Sequence, residues 1–124
     1  MTRAAGGRPT ARLDVLGVDE VNARLGEVQV VDAREPFEYE HGHVAGARLL
    51  PWTDAWETAA AFASERPLAV ICGDEVRSLL VAPILARTRT DVRRVTGGMV
   101  DWTERGFGVE KGRQRDRLAC PTAG

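Results

Sequence analysis

The chain has little cysteine and almost no lysine. Cys72 and Cys120 are its only cysteines in 124 residues, and Lys111 is the one lysine among 17 basic side chains. Two cysteines make no disulfide framework, so free thiols are expected, one of them available for catalysis. Arginine in place of lysine, beside abundant alanine, glycine and valine, reads as a base-composition bias of the genome. The net charge of −1 gives no excess with which to bind nucleic acid or an anionic membrane. No apolar run is long enough to cross a bilayer, and Met1 to Gly7 lack the apolar core of a signal peptide. A cytoplasmic location is the expectation.

What is present is the composition of an ordinary globular protein, 44% hydrophobic and 28% charged, at a length suited to one domain with one core. Residues 1–11 are small, polar and glycine-containing and are expected to be disordered. Residues 12–111 form the domain, and 112–124 a polar tail.

Apolar runs and turn residues alternate along the domain. Helices are expected over Asp19 to Leu25, Pro36 to Glu40, Thr53 to Ser64, Arg77 to Thr88, and from an opening at Gly97-Gly98 through Trp102 to a stop at Gly106. Strands are expected at Val28–Asp32, Arg48–Pro51, Leu68–Cys72, Val92–Thr96 and Gly108–Glu110. Trp56, Ala60 and Ala61 are spaced to share a helix face. Pro83 conflicts with its helix, because it removes a backbone donor and costs about 3 kcal/mol, so a kink or a tightened turn is expected there. The alternation predicts an α/β fold with a mostly parallel central sheet.

The run Leu68-Ala69-Val70-Ile71-Cys72 ends in Gly73-Asp74-Glu75-Val76-Arg77-Ser78 and a second apolar segment. It reads as a buried parallel strand, a short loop and a helix start. Cys72 then lies at the carboxyl end of a strand, where open α/β sheets place ligands. Loop amides and the helix N-terminus there favour a thiolate or a bound oxyanion. The bland alternative is a buried cysteine serving as a small hydrophobe.

Three segments in order resemble the rhodanese family of sulfurtransferases: Val31-Asp32-Ala33-Arg34-Glu35-Pro36-Phe37-Glu38-Tyr39-Glu40-His41-Gly42-His43-Val44-Ala45-Gly46-Ala47, the Cys72–Arg77 loop with Ser78, and Val95-Thr96-Gly97-Gly98-Met99-Val100-Asp101-Trp102. The resemblance implies a three-layer sandwich with helices on both faces of the sheet. It also implies that Cys72 is a nucleophile carrying sulfane sulfur as a persulfide. The loop of Gly73, Asp74, Glu75, Val76, Arg77 and Ser78 would wrap round it. No metal and no cofactor are implied. The partners would be a small-molecule or protein sulfur donor and acceptor, and the protein a monomer or homodimer, binding neither nucleic acid nor membrane.

Other positions support that centre. Arg77 either supplies charge or pins the loop. Asp32 is expected to pair in a way that fixes the loop before Pro36, and Arg34 to meet an anionic donor or orient substrate. His43 reads as a turn-stabilising residue, because persulfide transfer needs no general base once the thiol is ionised. His41 reads as a surface residue. Trp102 and Met99 are expected in the core, and Trp52 and Trp56 in packing, with a wall of the cleft as the alternative. Gly97-Gly98 either brings backbone close to the site or makes a tight turn. Cys120 reads as incidental, with a sulfur relay as the alternative.

Asp74 and Glu75 depart from the basic or small residues usual in such loops. If they face the cleft they disfavour the thiolate and repel thiosulfate, and removing both should speed attack on that dianion; the alternative is that both point to solvent and are screened. A cysteine phosphatase or arsenate reductase is a weaker reading, because the six-residue span Cys72–Arg77 is short and acidic for a tetrahedral oxyanion. A non-catalytic interaction module of the same fold is the other alternative.

Overall fold

The computed structural model describes residues 15–59, 62 and 64–113. The expected disorder of residues 1–11 and the tail from 114 onward, Cys120 included, lie outside them. Seven strands and five helices alternate along the described chain: β1 (Val15–Gly17), α1 (Val18–Ala23), β2 (Gln29–Asp32), α2 (Pro36–His41), β3 (His43–Val44), β4 (Arg48–Leu49), α3 (Ala55–Thr58), β5 (Leu68–Ile71), α4 (Val76–Leu85), β6 (Val92–Thr96), α5 (Gly98–Glu104) and β7 (Val109–Glu110). Five strands make a wholly parallel sheet in the order β1-β6-β5-β2-β4. β3 and β7 form a separate antiparallel pair, His43 opposite Glu110 and Val44 opposite Val109.

The period-2 alternation of side chains along the strands divides the core in two. Val30, Ala69, Ile71 and Val95 point to the face that packs Val18, Val21, Tyr39, Met99 and Trp102. Val31, Leu68, Val70 and Cys72 point to the other, with Ala55, Ala59, Val81, Ala82 and Leu85. Helices therefore cover both faces, α1 and α5 on one, α3 and α4 on the other. The expected α/β fold with a mostly parallel central sheet is the one observed.

Several element boundaries differ from expectation. β1 was not anticipated: its three residues gain strand form only through pairing with Arg94, Val95 and Thr96. β3 was likewise missed, since its partner is more than sixty residues away in β7. Of the helix expected over Thr53 to Ser64 the described residues show the turn Ala55–Thr58, and residues 60, 61 and 63 lie outside them. Trp56 is 65% exposed rather than packed in the core, with the Arg87 guanidinium 4.9 Å above its ring. Pro83 is accommodated inside α4. Both Pro83 and Leu79, whose carbonyl it leaves without a helical donor, lie on the exposed side of the helix, where water can serve. No described helix is long and apolar enough to cross a membrane.

Candidate active site

β2 and β5 are neighbours in the sheet, and the chain leaves their carboxyl ends in opposite directions. After β2 it runs to the edge strand β4; after β5 it runs to β6 on the other side. Such a reversal opens a crevice at the carboxyl ends of the two strands, the usual ligand position in open α/β sheets. Cys72 immediately follows β5, and Asp32 ends β2.

The Cys72 sulfur is covered by its own loop. Sγ accepts the Glu75 N–H at 3.1 Å and the Ser78 N–H at 3.2 Å. The residue is 0% exposed, and its side chain lies among the second core cluster. Two amide dipoles aimed at one sulfur favour negative charge there. The Ser78 hydroxyl closes the turn by donating to the Glu75 carbonyl at 2.8 Å.

The loop is held from outside as well. Met99 N–H donates to the Cys72 carbonyl at 2.7 Å and Val100 N–H to the Gly73 carbonyl at 3.0 Å. Gly98 permits this approach, because a Cβ there would collide with both carbonyl oxygens, and its φ of 61° suits glycine. Gly97-Gly98 therefore makes both the tight turn and the close approach.

Glu75 requires a correction. Its carboxylate is bound within the protein: one oxygen accepts from Arg94 Nη1 at 2.9 Å and the other from the Gly97 N–H at 2.7 Å. The expected repulsion of an incoming anion by Glu75 gives way to a neutralised pair. Asp74 alone of the two acids is exposed, with Oδ1 accepting the Val76 N–H at 3.1 Å. Glu75 is also the one non-glycine residue at positive φ among the described residues, at 104°. A side chain in that region costs about 1–3 kcal/mol unless its surroundings hold it there.

Arg77 donates to both oxygens of Glu38, at 2.6 and 3.2 Å, so its contacts are those of a pin between α4 and α2. The Arg77 hydrogen bond holds the Glu38 carboxyl below the usual carboxylate range, and the same bond raises the Arg77 guanidinium. Asp32 makes the expected pair, a fork with Arg34 at 2.9 and 2.8 Å. Arg34 is 7% exposed and also donates to the Gly42 carbonyl at 2.7 Å, so its guanidinium is already engaged within the protein. His43 is buried, stacked 3.6 Å from the Tyr39 ring, with Nδ1 donating to the Tyr39 carbonyl at 2.7 Å. His41 is exposed. Burial pushes the Tyr39 hydroxyl up to about 12, and that hydroxyl donates to the Ala47 carbonyl at 2.6 Å. Trp52 donates to Glu35 at 2.9 Å.

Sequence reasoning missed Glu38 and Arg94 as partners of the loop. Glu38 carried one local signal, its place three residues after Glu35, whose N–H it caps at 2.9 Å. Arg94 carried none, because its partner belongs to another element.

Comparison with known proteins agrees with this architecture. An uncharacterised protein of Bacillus subtilis is 30% identical over 91 residues, 73% of this chain and 72% of its own. A rhodanese-related protein of Thermoplasma volcanium superposes with a TM-score of 0.74 at 26% identity, over 78% of this chain and 97% of that one. A thiosulfate sulfurtransferase of Pseudomonas aeruginosa shares the fold, with a TM-score of 0.73 at 19% identity over 90% of this chain and 22% of its own. The family model of the rhodanese-like domain matches residues 17–105, and to that family the chain belongs.

Proposed function

We propose that the protein is a sulfurtransferase in which Cys72 carries the transferred sulfur. The observation that carries this reading is the pair of amides, Glu75 and Ser78, directed at Sγ at the carboxyl end of a central strand. In the first half-reaction the Cys72 thiolate attacks the outer sulfur of a sulfane donor. A sulfur–sulfur bond forms to Cys72, and the donor's own bond breaks, releasing sulfite from thiosulfate or a thiolate from a persulfide. In the second, a thiol or cyanide acceptor takes the outer sulfur and returns Cys72 to the thiolate. Loop amides hold the negative charge at each stage. Asp32, Arg34 and His43 would maintain the scaffold beneath the loop, and Arg77 its attachment to α2.

The natural donor is proposed to be a protein persulfide or a small-molecule persulfide, since exposed Asp74 disfavours a dianion. The complete burial of Cys72 favours a second reading, an interaction module without catalysis. Incubation with a sulfane donor followed by peptide mass mapping separates the two. The sulfurtransferase reading expects about 32 Da, one sulfur atom, added to Cys72 and not to Cys120, and no transfer by Cys72→Ser. Sulfur on Cys120 alone, activity surviving Cys72→Ser, or aryl-phosphate turnover that Cys72→Ser abolishes would overturn it.

A further inference from the structure

Glu75 joins three parts of the site. Its N–H donates to Cys72 Sγ, its carbonyl accepts from Ser78, and its carboxylate bridges the Arg94 guanidinium and the Gly97 amide. Arg94 projects from β6, and Gly97 opens the turn into α5, so the carboxylate ties the middle of the cysteine loop to a neighbouring strand and its turn. The same residue holds a backbone conformation that a side chain disfavours, with φ at 104°. A strained residue persists where surrounding contacts over-determine it, and here those contacts are the two bonds to its carboxylate. The sulfur beneath is fully covered, so a reagent reaches it only when the loop moves.

We infer that Glu75 is a positioning residue whose carboxylate clamps the cysteine loop shut on Arg94 and Gly97, setting how often the Cys72 sulfur is open to a reaction partner. The inference rests on the reading of Cys72 as the reacting group. It extends that reading by assigning control of access to an acid whose carboxylate is engaged by Arg94 and the Gly97 amide. Loss of the clamp leaves the loop held at its first two carbonyls by Met99 and Val100 and at its far end by the Ser78 hydroxyl and the Arg77–Glu38 pair, with no side-chain bond to β6 between them. The part that swings is then the segment from Asp74 to Val76.

The test is alkylation of native Cys72 by iodoacetamide, in a Cys120→Ser background, followed by peptide mass mapping. Glu75→Gly is the informative change: it removes the clamp and relieves the positive φ, and since that relief favours the closed loop, faster alkylation reports loss of the clamp itself. Arg94→Gln attacks the clamp from the other side and leaves the loop sequence intact. Each change is expected to speed alkylation by about five- to fifty-fold, the opening expected on losing one or two partly exposed charge-assisted hydrogen bonds. Arg94→Gln is expected to add nothing once Glu75→Gly is present, because both break one device. Val21→Ala, in the opposite core cluster, controls for general loosening and is expected to leave the rate unchanged. Unchanged alkylation in both clamp variants, independent effects that multiply, or an equal acceleration in Val21→Ala would overturn the inference. Because alkylation needs no sulfur donor, faster alkylation without persulfide formation would uphold the clamp while refuting sulfur transfer.

Discussion

At the scale of single residues, Gly98 carries the tightest constraint at the site. Its φ of 61° is in the left-handed region, and a Cβ would meet the carbonyl oxygens of Cys72 and Gly73. Gly98→Ala therefore combines a backbone penalty with a collision against backbone that is itself hydrogen-bonded to Met99 and Val100. We expect a loss of at least about 2 kcal/mol in urea unfolding. Faster hydrogen exchange at the Met99 and Val100 amides should accompany it. An unchanged unfolding midpoint would show that the loop can withdraw freely. The glycine pair was visible in the sequence, but its collision partners were not. Asp74 and Glu75 make the same point: adjacent, of like charge and alike in sequence, they differ because only Glu75 reaches Arg94 and the Gly97 amide.

At the scale of elements, the contact between α2 and α4 is electrostatic. Glu38 and Arg77 are separated by 39 residues in sequence, and their side chains are 24–28% exposed. The folded protein holds the Glu38 carboxyl below its ordinary value of 4.5, chiefly through the Arg77 hydrogen bond. A depressed carboxylate stabilises the fold fully above the unfolded value, and that contribution is lost as pH falls through the folded value. Glu38→Gln should thus be less stable than the parent at pH 7. The difference in urea midpoint should close as the pH is lowered below the ordinary carboxylate range. A difference that persists at the most acid pH would assign the effect to packing. Helix α3 shows how exposure is decided outside the element. Trp56, the second residue of α3, turns outward beneath Arg87, while Ala60 and Ala61, expected to share its face, lie outside the described residues.

At the scale of the whole molecule, one sheet supports two cores. Val30 and Val31 are adjacent in β2, both almost fully buried, and they face opposite layers. Truncation of either to alanine removes two methyl groups, about 0.8 kcal/mol each before any cavity penalty. Each is therefore expected to destabilise the protein by roughly 2 kcal/mol. Since both layers share the same strands, each variant should unfold in one transition, with far- and near-ultraviolet circular dichroism coincident. Separate transitions in either variant would mean that the layers unfold independently.

The sequence by itself determined the elements with strong local pattern and the position of the nucleophile candidate. β5 is a short apolar run, with Cys72 just after it, and β2 holds Val30 and Val31, because burial on both faces leaves a continuous signal along the chain, and β6 shows β-branched residues at Val92, Val95 and Thr96. The fold class followed from their alternation with helices. Only the tertiary structure decided which strands are neighbours, that β1 and β3 exist at all, and that Glu75 grips Arg94 while Arg77 grips Glu38. Those contacts join segments far apart in the chain, and their energy depends on distance and direction in space, which no local periodicity records.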